Sequence, residues 1–134
     1  MSRVRRLTSN DIGISGAKDL AAYIKSQNFR LTDLAFGNNK LSDRAVECVI
    51  SALRNSRDTV QSLDMSHNES GDLTCQALNS LLQTTAHLKT LNCGWAHLRG
   101  PKVASFLTAL TLCSSINTLD LRYTPLYLFA VLAR

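Results

Sequence analysis

Apolar and polar positions recur along this chain with a period close to 28 residues. Within 31–41 the apolar residues Leu31, Leu34, Phe36 and Leu41 stand at offsets 0, 3, 5 and 10, with Asn39 at offset 8. The frame returns at Val60, Leu63, Met65 and Asn68, then at Leu88, Leu91, Cys93 and Leu98, and again at Ile116, Leu119, Leu121 and Leu126, in steps of 29, 28 and 28 residues. Alternate residues of an extended segment share a face, so each frame predicts a short strand with its leucines turned inward. A helical pattern follows each strand in matching register: Val46, Val49 and Leu53; Cys75, Leu78 and Leu82; Val103, Phe106 and Leu110. Offsets of 3 and 7 put each trio on one helix face. One period earlier stand Ala17, Leu20 and Ile24, preceded by Asn10 and Ile12, so a first unit begins near Ser2, with Arg5 where the other strands carry leucine.

A single strand–helix unit cannot enclose a core, whereas stacked units share one. The pattern predicts one domain over 1–134, with units near 2–30, 31–59, 60–87 and 88–115 and a partial fifth over 116–134. Asn39 and Asn68 fall where the chain turns out of a strand, and an amide there can bond backbone groups that no ladder satisfies. Ala96 and Thr124 replace this Asn later in the chain, which predicts looser turns. The pattern LxxLxLxxNxL followed by an amphipathic helix resembles the leucine-rich-repeat family, ribonuclease-inhibitor-like subtype. That resemblance implies an α/β solenoid, with a curved parallel sheet on the concave side and helices on the convex side. It also implies binding of another macromolecule rather than catalysis. Within the family, function does not follow from fold. A scaffolding subunit of a larger assembly, a protein inhibitor of an enzyme and a GTPase-activating arm all stay open, in cytoskeletal, axonemal, ribosomal or innate-sensor settings.

Strand residues that do not point inward would form the exposed sheet face. The candidate partner-binding residues there are Asp64, His67, Asn92, Trp95, Asp120, Arg122 and Tyr123. His67, Trp95 and Tyr123 form one column at the strand ends, and Trp, Tyr and Arg are over-represented among residues that dominate interface energy. Asp64 and Asp120 would suit a basic partner surface. The competing reading is that Trp95 plugs the turn left open by Ala96. Arg122 is the arginine on these rows that a GTPase-activating role would need. A second candidate surface is an open C-terminal edge of Leu126, Tyr127, Leu128, Phe129 and Val131, contacting a partner protein or a second copy. Val131 occupies the column of Val103 and the sequence ends at Arg134, so a fragment of a longer array is the alternative.

Composition narrows the classes further. With 45% apolar and 19% charged residues in 134, the chain is globular rather than disordered. Its net charge of +5 is concentrated at Arg3, Arg5 and Arg6, a solvated end or a contact for RNA, an anionic membrane or an acidic protein. The four cysteines form no CxxC pair and follow no apolar leader, which points to a reducing, intracellular, cytoplasmic setting, cytoskeletal or mitochondrial among them. No run of about 18 apolar residues is present, so no membrane span is expected. His67, His87 and His97 form no HExxH, no phosphate loop occurs, and Cys75 and Cys93 fall in core columns. Glu47 and Glu69 are the only glutamates, and no recognisable spacing pairs them with each other. The expectation is therefore a non-enzyme with no metal and no cofactor.

Overall fold

Short inward-facing leucine frames separated by amphipathic segments build a parallel sheet when each segment crosses back over the same face. A computed structural model describes residues 3–26 and 31–123 and shows this arrangement. The order is β1 (Arg3–Arg6), α1 (Gly13–Ser26), β2 (Leu31–Ala35), α2 (Asp43–Ala52) with a 3-10 turn over Leu53–Ser56, β3 (Ser62–Asp64), α3 (Asp72–Thr84), β4 (Thr90–Asn92), α4 (Val103–Leu112) and β5 (Thr118–Asp120). The strands form one five-stranded parallel sheet in chain order. The four helices of the described residues pack each against the next. The architecture is mixed α/β, with one parallel sheet and one helical layer. No helix of the described residues is long and apolar enough to cross a membrane.

Register supplies the core. Leu34 pairs with Leu63, Leu63 with Leu91 and Leu91 with Leu119, so one row of leucines runs across the sheet. Leu34, Leu63 and Leu91 are buried, and they meet Val46, Val49, Leu78 and Phe106 from the helices. Arg5 falls in the same row, opposite Leu34. It keeps its guanidinium out of the core by donating to the Tyr23 hydroxyl at 2.9 Å and lying 5.7 Å from that ring's centre. A polar group thus closes the leucine row at this end, which accounts for the odd residue in the first strand.

The two turn asparagines each tie neighbouring units together. Asn39 donates through Nδ2 to the carbonyls of Leu7 and Phe36, both at 2.8 Å, while its Oδ1 accepts from the Asn10 backbone at 2.8 Å. Asn68 repeats this, accepting from the backbone of Asn39 at 3.1 Å and Leu41 at 3.0 Å and donating to the Phe36 and Met65 carbonyls. Both amides are buried, so every one of these bonds replaces water that cannot reach the turn. At Ala96 the amide is missing. The backbone substitutes: Ala96 N–H donates to the Cys93 carbonyl at 3.2 Å, and the Ala96 carbonyl accepts from Ser70 at 2.9 Å. At the turn expected to loosen, Ala96 is instead buried and held by main chain. Thr124 lies outside the described residues.

Helix starts are also shared between units. The Asp43 carboxylate, in the first turn of α2, accepts from the backbone of Gly71 at 2.7 Å, Thr74 at 2.9 Å and Leu73 at 3.1 Å, capping α3. Asp72 does the same one unit later, accepting from Lys102 at the start of α4 at 3.0 Å. Burial alone would raise the Asp43 carboxyl, but hydrogen bonds from Thr74 and from the backbone of Gly71 and Leu73 hold it below its ordinary range.

Candidate functional site

The ladder of the sheet continues past each strand by alternate residues before the chain turns. His67 N–H donates to the Gly94 carbonyl at 3.1 Å, and Trp95 N–H donates to the Arg122 carbonyl at 2.9 Å. At these last paired residues the backbone flips. Ser9, Asn38, His67, Trp95 and Tyr123 have φ of 62°, 53°, 55°, 56° and 59°. They occupy one position of the period, so the same left-handed residue ends every strand. Asn tolerates this conformation, whereas Trp and Tyr do so at a cost.

The flip turns these side chains off the sheet in parallel, and the rings stack. His67 and Trp95 lie with ring centres 5.4 Å apart and planes 13° from parallel. Trp95 and Tyr123 lie 3.4 Å apart at 25°. Trp95 remains 38% exposed and Tyr123 67%. Trp95 is therefore sandwiched between two rings.

Asp64, Asn92 and Asp120 stand in one row of the sheet, three residues before the left-handed position of their own unit. Each bends back to bond the chain ahead of it. Asp64 accepts from the Ser66 backbone at 3.0 Å and the Ser66 hydroxyl at 2.7 Å, and Asn92 accepts from the Gly94 backbone at 2.9 Å. Asp120 accepts from the Arg122 backbone at 3.0 Å and from its guanidinium, closest at 2.8 Å. A side chain at Gly94 would bring its Cβ within 3.0 Å of the Asp120 carboxylate, so that neighbour keeps the position bare. The side-chain and backbone hydrogen bonds from Arg122 hold the Asp120 carboxyl below its usual range, and the Asp120 carboxylate raises the guanidinium in turn. Asp120 and Arg122 thus neutralise each other, leaving Asp64 as the negative charge of the row.

A shallow groove of about 450 Å³ lies beside the stack, between His67 and Trp95 on one side and Lys40, Glu69 and His97 on the other. Its charges pair outward, Lys40 with Asp11 and Glu69 with Arg99, each at 3.8 Å and exposed, which makes them weak contributors to stability. Among the described residues no group of three or more His, Cys, Asp or Glu could hold a metal ion. Burial pushes the Cys75 thiol up to about 12 and the Cys93 thiol further, so both behave as small apolar side chains. The C-terminal candidates Leu126, Tyr127, Leu128, Phe129 and Val131 lie outside the described residues.

The sequence matches no family model and no curated protein. Solved structures do match. One, described as leiomodin-1 actin-binding site 2, has a TM-score of 0.72 at 13% identity, covering 97% of this chain and 75% of that one. Another, the tropomodulin C-terminal domain from Caenorhabditis elegans, has a TM-score of 0.67 at 18% identity, covering 81% of this chain and 65% of that one. At these identities the likeness is one of fold. It overturns the expected membership in the leucine-rich-repeat family, ribonuclease-inhibitor-like subtype, and with it the solenoid assignment drawn from that resemblance. The physical reason lies in what the pattern encodes. Apolar offsets of 0, 3 and 5 before an amphipathic helix serve any set of strand–helix units stacked in register. They dictate alternation of elements, and they carry no information about lineage.

Proposed function

We propose that this chain is a non-catalytic protein-binding module whose contact surface is the strand-end column His67, Trp95 and Tyr123, with Asp64 and Asn92 behind it. The observation that carries the reading is the exposed ring stack on left-handed backbone. Bulky residues held in that conformation cost stability, and such strain concentrates where a surface has a task. Stacked rings also lose little freedom on binding, which favours them as interface anchors.

Actin is the partner this reading favours, because the fold is shared with a domain described as an actin-binding site. A cytoskeletal setting follows from it. The test is co-sedimentation with actin filaments, comparing the chain with a Trp95→Ala, Tyr123→Ala double variant whose fold is checked by circular dichroism. The expected result is filament binding by the chain and a drop of at least about tenfold in the variant, the scale at which an interface anchor is recognised. Equal binding by both proteins would move the contact away from this column. Absence of binding by the parent chain would remove actin as the partner.

A further inference from the structure

The ring stack ends on an open face. Trp95 is covered by His67 on one side and Tyr123 on the other, whereas Tyr123 meets a ring on one side only among the described residues. Tyr123 is 67% exposed, and the face of its ring is electron-rich, so it attracts a cation laid against it. The sheet beside it carries charge of the matching sign. Leu34, Leu63 and Leu91 turn inward, so the residues flanking them form two outward rows. One row runs from Asp33 on β2 to Thr118 on β5, and the next from Ala35 through Asp64 and Asn92 to Asp120. From β2 to β5 these rows hold carboxylates and no cation. Arg122 lies two residues beyond and cancels Asp120, and Arg6 stands at the far edge on β1. Asp33 and Asp64 form no ion pair among the described residues. Between the Asp64 row and the ring column lie Gly37, Ser66 and Gly94, small and buried, so the floor is low where a partner chain passes.

We infer that this end of the sheet accepts a basic, arginine-bearing segment of a partner protein, with one guanidinium laid on the open face of Tyr123 and further cations over Asp64 and Asp33. The inference rests on the ring column being the contact surface and adds the chemistry of what it contacts. Two features select that occupant together. The free ring face favours a planar cation, and guanidinium is planar and weakly hydrated where an ammonium is neither. The outward rows have the opposite sign to the chain, whose net charge is +5. At about 0.1 M salt the screening length is about 10 Å, so a cation on this face is attracted by the carboxylates next to it while more distant basic residues are screened. An acidic segment or a nucleic-acid phosphate would meet Asp33 and Asp64 with like charge.

The test follows the indole N–H resonance of Trp95, the one tryptophan, in nuclear magnetic resonance spectra at about 0.1 M salt. Short peptides that alternate serine with arginine, with lysine or with glutamate are titrated in turn. The expected result is a saturable shift with the arginine peptide, at about two- to fivefold lower concentration than with the lysine peptide, the scale of an exposed cation–π contact. No shift is expected with the glutamate peptide. Tyr123→Ala is expected to abolish the preference for arginine and Tyr123→Phe to keep it, with circular dichroism unaltered. Asp64→Asn is expected to weaken the arginine and lysine peptides alike, leaving their ratio intact. A parent chain that ignores the arginine peptide, or responds as well to the glutamate peptide or to an oligothymidylate, would overturn the inference. So would a preference for arginine that survives Tyr123→Ala. If the Trp95→Ala, Tyr123→Ala variant loses filament binding while the parent chain ignores the arginine peptide, this inference fails and the role of the column stands.

Discussion

Trp95 shows how one residue can serve two opposed demands. Its φ of 56° suits glycine or asparagine, and its rings on either side suit an aromatic. Removing the ring while keeping a Cβ should retain the backbone strain and lose the stacking. Removing the Cβ as well should release the strain. Trp95→Gly is therefore expected to be more stable than Trp95→Ala by about 1 kcal/mol, read from urea unfolding midpoints. An alanine variant as stable as the glycine one would show that the left-handed turn does not persist. The column itself was legible in the sequence, because its members share one position of the period. The flip was not, because nothing in Trp or Tyr predicts a positive φ. Only Asn38, at the same position, hints at it. The carboxylates were legible as positions, but the pairing of Asp120 was not. Asp120 was expected to face a basic partner, and it is bound by Arg122 two residues along. A contact so local depends on rotamer and turn geometry, which periodicity does not encode.

Between elements, the notable bonds run from one unit to the next. Asp43 belongs to α2 yet caps α3, so its carboxylate couples two helices. Asp43→Ala is expected to cost about 1–2 kcal/mol at neutral pH, the range of a lost N-terminal cap. Its pH dependence has a definite sign. The folded carboxyl lies below its ordinary value of 3.8, so its contribution is complete above that value and disappears as pH falls through the lower folded one. Unfolding midpoints of the parent chain and of Asp43→Ala should converge as the solution is acidified below pH 3.8. A gap constant down to the lowest pH would assign the cap to something other than the ionised carboxylate. The sequence gives no warning of this cap, since Asp43 also looks like an ordinary first-turn acid for its own helix. Asn39 and Asn68, by contrast, were readable as turn amides, because no other role explains a buried amide at that offset.

For the molecule as a whole, the leucine row decides cohesion. Leu63 is buried between Leu34 and Leu91 and shares its surroundings with both adjoining units. Leu63→Ala is expected to cost about 2–5 kcal/mol as a core cavity. Because that row is continuous, the loss should lower a single transition, with circular dichroism and the fluorescence of Trp95, the one tryptophan, changing together. Separate transitions would mean that the units hold together less firmly than the row implies. The amino-acid sequence by itself determined the alternation of strands and helices, their inward faces and the mixed α/β class. Those follow from local periodicity, since burying one side of a strand or helix imposes a spacing that can be counted. Tertiary structure alone decided which rings touch, which charges cancel and which helix each aspartate caps. Such contacts join residues about 28 positions apart or turn on a single dihedral, and neither is a property of any stretch of chain read in isolation.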